Sequence, residues 1–201
     1  MRINIISPLF TVVFLISCNI DITNKTPKEV DYQELNFKDG KGYYEDNLYT
    51  GIVVTRHANG EKKFESDFVK GLDNGQFKEW DEDGHLIEKS NSKKGKLHGK
   101  YVRYYPNGQK HFETTYKEGV PQGEALEWHE NGELKIKYYF KEGAENGLYT
   151  LWNDQGVKIL EGQMKDDKRH GEWYEYNEHQ NQAFINLYDN GEIIKSEPQV
   201  K

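Results

Sequence analysis

The sequence predicts an all-β protein, an elongated array of antiparallel β-hairpins joined into a meander sheet of about six 24-residue units, and three observations predict it. First, glycines 51, 75, 99, 123, 147 and 171 recur every 24 residues without an insertion. A second series, Gly60, Gly84, Gly108, Gly132 and Gly156, follows nine residues behind, and a third, Gly71, Gly95, Gly119, Gly143 and Gly191, twenty behind. Three phased series over six units mark a repeat protein. Second, aromatic or apolar residues fill four columns at fixed distances from the first glycine of each unit. Third, the chain is 35% hydrophobic and 30% charged yet 13% aromatic, with 14 tyrosines. That is too polar for a thick core and too aromatic for disorder, which leaves a thin ordered architecture buried by large amphipathic side chains.

The first element is not part of the array. Residues 1–18, MRINIISPLFTVVFLISC, carry one charge at Arg2 and an apolar run from Leu9 to Ile16. The run is shorter than the ~20 apolar residues a membrane helix needs and has the layout of a secretory signal. Its end, Leu15-Ile16-Ser17-Cys18, resembles a bacterial lipobox, which implies lipidation at Cys18 and an exported, membrane-anchored lipoprotein of the cell envelope. Cys18 is the only cysteine, so no disulfide forms within one molecule. The formal charge of −7 argues against nucleic acid as a partner, because phosphate backbones are held by basic surfaces. It argues equally against a fold that lies on anionic lipid, so the membrane is reached through the lipid anchor alone. Residues 19–31 are polar and aperiodic and read as a flexible tether. Residues 32–50, with Tyr43, Tyr44 and Tyr49 off the repeat pattern, read as an N-terminal cap.

Six units fill residues 51–194, and 195–201 read as a C-terminal tail. Counting each unit's first glycine as position 0, position 2 holds Val53, Phe77, Tyr101, Ala125, Tyr149 and Trp173, and position 5 holds Arg56, Trp80, Tyr104, Trp128, Trp152 and Tyr176. Position 13 holds Phe64, Glu88, Phe112, Ile136, Leu160 and Phe184, and position 17 holds Phe68, Ser92, Tyr116, Phe140, Met164 and Tyr188. Asn59-Gly60, Asp83-Gly84, Asn107-Gly108 and Asn131-Gly132 stand between the strand-like runs, and such dipeptides signal a type I′ hairpin turn. A two-residue turn there pairs positions that sum to 17 and puts position 5 on the face opposite positions 2, 13 and 17. A three-residue turn with a bulge reverses that parity, and both registers stay open. The connection between units, as in Lys141 to Gly147, reads as a looser turn.

The recurring Gly-x-aromatic-x-x-aromatic-x-x-Asn-Gly, followed by an apolar or aromatic pair and Lys-x-Gly-x-x-x-Gly, resembles the MORN-repeat variant of bacterial proteins, including YwqK-type antitoxins. His98-Gly99 and His170-Gly171 match the His-Gly that often opens a unit of that family. The resemblance covers about residues 51–194 and implies a β-hairpin array with a protein-binding or scaffolding role.

No catalytic motif is found: there is no Gly-x-Ser-x-Gly, no phosphate-cradling loop and no Cys-His pair, so no enzyme, cofactor or metal is expected. His129-Glu130-Asn131-Gly132-Glu133 lacks the second histidine of a zinc helix. Asp81-Glu82-Asp83-Gly84 resembles part of a calcium loop, but Ser90 stands where the bidentate acid belongs. What remains is the position-5 column, Trp80, Tyr104, Trp128, Trp152 and Tyr176, a candidate binding strip if its face is exposed. The favoured reading is a non-enzymatic envelope lipoprotein that acts as a protein-interaction scaffold. The alternatives are a carbohydrate-binding module that stacks sugars on the same rings, and an antitoxin or immunity protein.

Overall fold

The computed structural model of the chain describes residues 29–177 and 182–198. Residues 1–18, Cys18 among them, and most of the stretch read as a tether lie outside the described residues. A single 16-stranded sheet runs through the repeats with its main strands in chain order. Each unit contributes a hairpin: Gly51–Arg56 with Lys62–Val69, Leu72–Trp80 with Leu86–Lys93, and Gly99–Tyr104 with Lys110–Lys117. The series continues with Val120–Trp128 and Leu134–Lys141, Gly147–Trp152 and Lys158–Lys165, and Lys168–Asn177 and Gln182–Asp189. At ~4.8 Å per strand the array extends about 60 Å.

Of the two turns open to the Asn-Gly and Asp-Gly dipeptides, the chain takes the three-residue one with a bulge, and the connection between units, expected to be looser, is the tight one. At each Asn-Gly or Asp-Gly, only the glycine has positive φ, for example Gly60 at 91° and Gly132 at 90°, whereas a type I′ turn needs two such residues. The loop is a three-residue turn ending in a glycine bulge: the Gly60 N–H donates to the His57 carbonyl at 2.9 Å and the His57 N–H to the Glu61 carbonyl at 2.8 Å. The same pair of bonds recurs at Gly84, Gly108, Gly132 and Gly156. The type I′ geometry lies between units instead. There Lys70-Gly71, Lys94-Gly95, Glu118-Gly119, Glu142-Gly143 and Asn190-Gly191 all have positive φ at both residues, bracketed by tight pairs such as Lys93↔Lys96 and Lys117↔Val120. Asp166-Asp167 takes the same shape without glycine, at φ 49° and 63°.

Register resolves in the same way. After the three-residue turn, a second bulge, between Thr55 and Arg56 in the first unit, returns the hairpin body to Gly51↔Phe68, Val53↔Ser66 and Thr55↔Phe64. Two bulges cancel in parity, so the pairing that a two-residue turn would have produced holds through most of each hairpin. Positions 2, 13, 15 and 17 therefore share one face, and position 5 lies on the other.

The packed face is the aromatic one. Ring pairs run along it at centroid distances of 5.3–6.1 Å: Phe64 with Phe77, Tyr101 with Phe112 and Tyr116, Tyr138 with Phe140 and Tyr149, and Trp173 with Tyr149 and Tyr188. Each such pair adds ~0.5–1.5 kcal/mol beyond its buried area. Gly75 has φ 144° and its missing Cβ leaves room for the Asp67 side chain, which accepts the Gln76 N–H at 2.8 Å.

Both ends extend beyond the six units. Glu29–Asp31 pairs in parallel with Gly51–Arg56, so the last three residues of the predicted tether belong to the sheet. Residues 32–50 form a 3₁₀ turn, Tyr32–Glu34, and a separate three-stranded sheet, Asn36–Lys38, Lys41–Tyr44 and Asn47–Leu48. Leu35 and Tyr49 bury against Val30, Val53 and Phe68 of the main sheet. At the far end Glu192–Pro198 pairs with Gln182–Asp189, so the predicted tail is a strand through Pro198.

Candidate interaction face

The strip residues Trp80, Tyr104, Trp128, Trp152 and Tyr176 fall on the face opposite the aromatic ladder, and all five are half-buried. Trp80 pairs with Leu86, Tyr104 with Lys110, Trp128 with Leu134 and Trp152 with Lys158, each one residue beyond the register shift. The equivalent residue of the first unit is Arg56, which is bound to Glu29 at 3.0 Å. The strip therefore starts in the second unit. Residues at one position of successive units lie two strands apart, about 10 Å.

Neighbouring turns hold this column. His57 Nε2 donates to the Trp80 carbonyl at 2.9 Å, Tyr105 Oη to the Trp128 carbonyl at 2.8 Å, and His129 Nε2 to the Trp152 carbonyl at 3.0 Å. Asn59, Asn107 and Asn131 each donate, at 2.7–2.8 Å, to a main-chain carbonyl in the next turn. His129 is thus a donor between turns. Unit two breaks this pattern because its equivalents are Asp81 and Asp83, which cannot donate when ionised. Asp81 Oδ1 instead accepts the Asp83 and His85 N–H groups, and its Oδ2 lies 3.0 Å from His85 Nδ1. Asp81, Asp83 and His85 could bring ligand atoms within 4.8 Å of one another, but Asp81 is committed to its own turn.

The same face carries buried Val54, Val102 and Thr150 at position 3, and around them a set of ion pairs. Glu65 lies 3.0 Å from Lys62 and 2.8 Å from Lys78, and Glu113 contacts both Lys100 and Lys110. Burial raises the carboxyl pKa of each, but the lysine hydrogen bonds outweigh it and hold both below the ordinary range. Lys137 does the same to Glu124, with burial opposing. Lys110 also stands over the Trp128 ring at 5.3 Å, a cation–π contact. The strip is a set of half-exposed aromatic rings rimmed by salt bridges. The aromatic ladder, by contrast, is a core: burial pushes the Tyr101 and Tyr138 hydroxyls well above the ordinary tyrosine range.

His98 and His170 stand where adjoining units meet. The His98 N–H donates to the Asn91 carbonyl at 2.8 Å, and His98 Nδ1 is 3.4 Å from Glu118 Oε1. His170 Nδ1 is 4.0 Å from Asp189. Neither contributes to the strip.

Sequence reasoning missed position 15, where Ser66, Ser90, Thr114, Tyr138 and Asn186 are buried. The signal was present as small residues at 15 opposite large ones at 2.

Compared with known families, the chain matches the model of the MORN repeat variant over three consecutive segments, residues 73–94, 97–118 and 121–142. No curated protein matches the chain significantly. Each matched segment covers the two strands of one unit and ends on the first residue of the type I′ turn.

Proposed function

Residues 73–142 carry MORN repeat variants, repeats that generally mediate protein or membrane interactions and are not catalytic, and from that premise we propose that the chain is a non-enzymatic interaction scaffold of the bacterial cell envelope. Cys18 would anchor it by lipid, and the column Trp80, Tyr104, Trp128, Trp152 and Tyr176 would receive a protein partner. The observation that carries this reading is the division of labour between the two faces. On one face the rings stack on each other and Phe68, Tyr138, Trp173 and Tyr188 are buried, whereas on the other none of the five strip rings is buried and they stand among paired charges. Half-exposed tryptophans and tyrosines in a polar rim have the anatomy of binding hot spots.

The test is Trp128→Ala combined with Trp152→Ala. The expected result is loss of partner capture from envelope extracts with an unchanged urea midpoint. Unfolding of the double variant, or capture at wild-type strength, would sink the strip. Glycan titrations that shift the tryptophan fluorescence of the wild-type chain would favour sugar stacking instead. Cys18→Ala should move the protein from the membrane fraction to the soluble one, and persistent membrane association would refute the anchor.

A further inference from the structure

The type I′ turn between units five and six carries an arginine, Arg169, at a position that holds Asp73, Leu97, Pro121 and Glu145 in the other connections. Lys165, Lys168, Arg169 and His170 bring four basic side chains to it in a chain whose formal charge is −7. The equivalent residues are Lys93, Lys96, Leu97 and His98 after unit two, Lys117, Val120, Pro121 and Gln122 after unit three, and Lys141, Ala144, Glu145 and Asn146 after unit four, so it is the arginine, not the lysines, that sets this connection apart. Together with Asp166 and Asn190, the four basic residues line a notch of about 260 Å³. The notch lies at the inter-unit ends of the hairpins, away from the turns that hold the aromatic strip.

Its cations are positioned and unspent. Arg169 lies over the Trp173 ring at 4.3 Å and the Tyr188 ring at 5.3 Å, and its Nη1 donates to Tyr188 Oη at 2.8 Å. Trp173 is only 1% exposed, so the guanidinium rests on a fixed platform and keeps further N–H donors. The Lys168 stem runs beside Gly191, where a Cβ would stand 3.7–3.9 Å from its Cβ, Cγ and Cδ. Neither Lys165 nor Lys168 has a carboxylate partner among the described residues, whereas Lys62, Lys78, Lys100, Lys110, Lys137 and Lys158 all do. The notch has one carboxylate, Asp166, which accepts the Asn146 amide at 2.8 Å. His170 has Asp189 at 4.0 Å.

Three permanent positive charges facing one carboxylate select an anion. With Nη1 donating to Tyr188, the guanidinium keeps its Nε and Nη2 edge for one or two oxygens of the anion. Two freely rotating ammonium groups suit a tetrahedral oxyanion better than a planar carboxylate. We propose that this notch binds a phosphate group, either free or carried as an ester on a larger molecule.

The experiment follows the amide resonances of residues 165–170 in the labelled full chain, titrated at constant ionic strength. Inorganic phosphate should produce saturable shifts at Lys168, Arg169 and His170 that chloride does not. The variant Lys165→Gln with Lys168→Gln, which alters only exposed and unpaired side chains, should raise the half-saturating concentration about tenfold. Glycerol 1-phosphate binding more tightly than inorganic phosphate assigns an ester-borne ligand, and the reverse assigns the free ion. Either order supports the site. Shifts that do not saturate, that chloride reproduces or that survive in the double variant would mean an adventitious ion only. Sedimentation with phosphatidylglycerol vesicles that the double variant retains in full, without any response to the two soluble phosphates, would likewise overturn the proposal.

Discussion

The indole of Trp173 occupies the room that a side chain on Gly162 would need. A Cβ built on Gly162 would lie 2.5 Å from Cγ and Cε2 of that ring and closer still to Cδ2. The two residues face each other across the junction of units five and six, in one row that crosses the whole packed face. The row runs Val53, Ser66, Phe77, Ser90, Tyr101, Thr114, Ala125, Tyr138, Tyr149, Gly162, Trp173, Asn186: its members are strand partners within each hairpin and at Ser66↔Phe77, and at the other junctions each stands next to the last regular pair, as Gly162 and Trp173 follow Glu161↔Tyr174. A single sheet has no second layer to fill gaps, so large side chains in this row take the space left by small ones.

Gly162→Ala should accordingly destabilise the protein by about 1–3 kcal/mol, the range for overpacking. The Trp173 indole cannot yield cheaply, because it donates from Nε1 to the Gln163 carbonyl at 3.1 Å and has Arg169 above it. Urea unfolding checks this: the midpoint should fall with little change in slope. An unchanged midpoint would show that the indole has somewhere else to go.

A sharper test uses unit four, where small and large are exchanged. Ala125 is fully buried at the position that holds an aromatic in units two, three, five and six, and Tyr138 is buried where other units have Ser66, Ser90 or Thr114. Tyr138→Ser alone removes a buried ring and should cost about 3 kcal/mol or more, and Ala125→Tyr alone should overpack the row. Combined, the two restore the arrangement of Phe77 with Ser90, and the double variant should recover about 1–3 kcal/mol relative to the sum of the singles. Additive losses in a double-mutant cycle would show that the exchange is not compensatory.

The repeat, its hairpins and its four columns were legible because each rests on a local rule that recurs every 24 residues. The turn types were not, since Asn-Gly and Lys-Gly both supply one permissive glycine. The difference lies in the preceding residue: Asn59 keeps negative φ and spends its side chain accepting the Glu61 N–H at 3.0 Å, whereas Lys94 is pushed to φ 51°. A lysine in the left-handed region is uncommon and leaves no signature in composition. The half-exposure of the strip was legible only once register was known, because the second bulge that returns Trp80 and Trp128 to the charged face has no marker residue. Pairs such as Gly162 with Trp173 needed the junction register as well, since they join different units.

The turn geometry has its own consequence. Lys94 is exposed at φ 51°, a conformation that asparagine adopts more readily than lysine. Its N–H donates to Asn74 Oδ1 at 3.1 Å, a main-chain bond that substitution leaves in place. Lys94→Asn should raise stability by about 0.5 kcal/mol, read as a higher thermal midpoint. The same change at Asn59's neighbour Ala58, where φ is not positive, should bring no such gain.

Glu145 supplies the pH test. Burial, then the charges of Asp167 and Glu127, raise its carboxyl pKa above 4.5, and no side-chain donor serves it among the described residues. A raised acid stabilises the fold in its protonated form. That contribution is complete below about pH 4.5 and is lost as pH climbs through the raised value, so at neutral pH an ionised Glu145 opposes folding. Glu145→Gln keeps the shape and removes the charge, and its main-chain bonds with Asp167, at 2.7 and 3.1 Å, do not depend on the carboxylate. Urea midpoints should therefore be higher for the variant than for wild type at pH 7, and the gap should close as the pH falls toward 4. A gap that persists at pH 4 would locate the gain in packing and not in the charge.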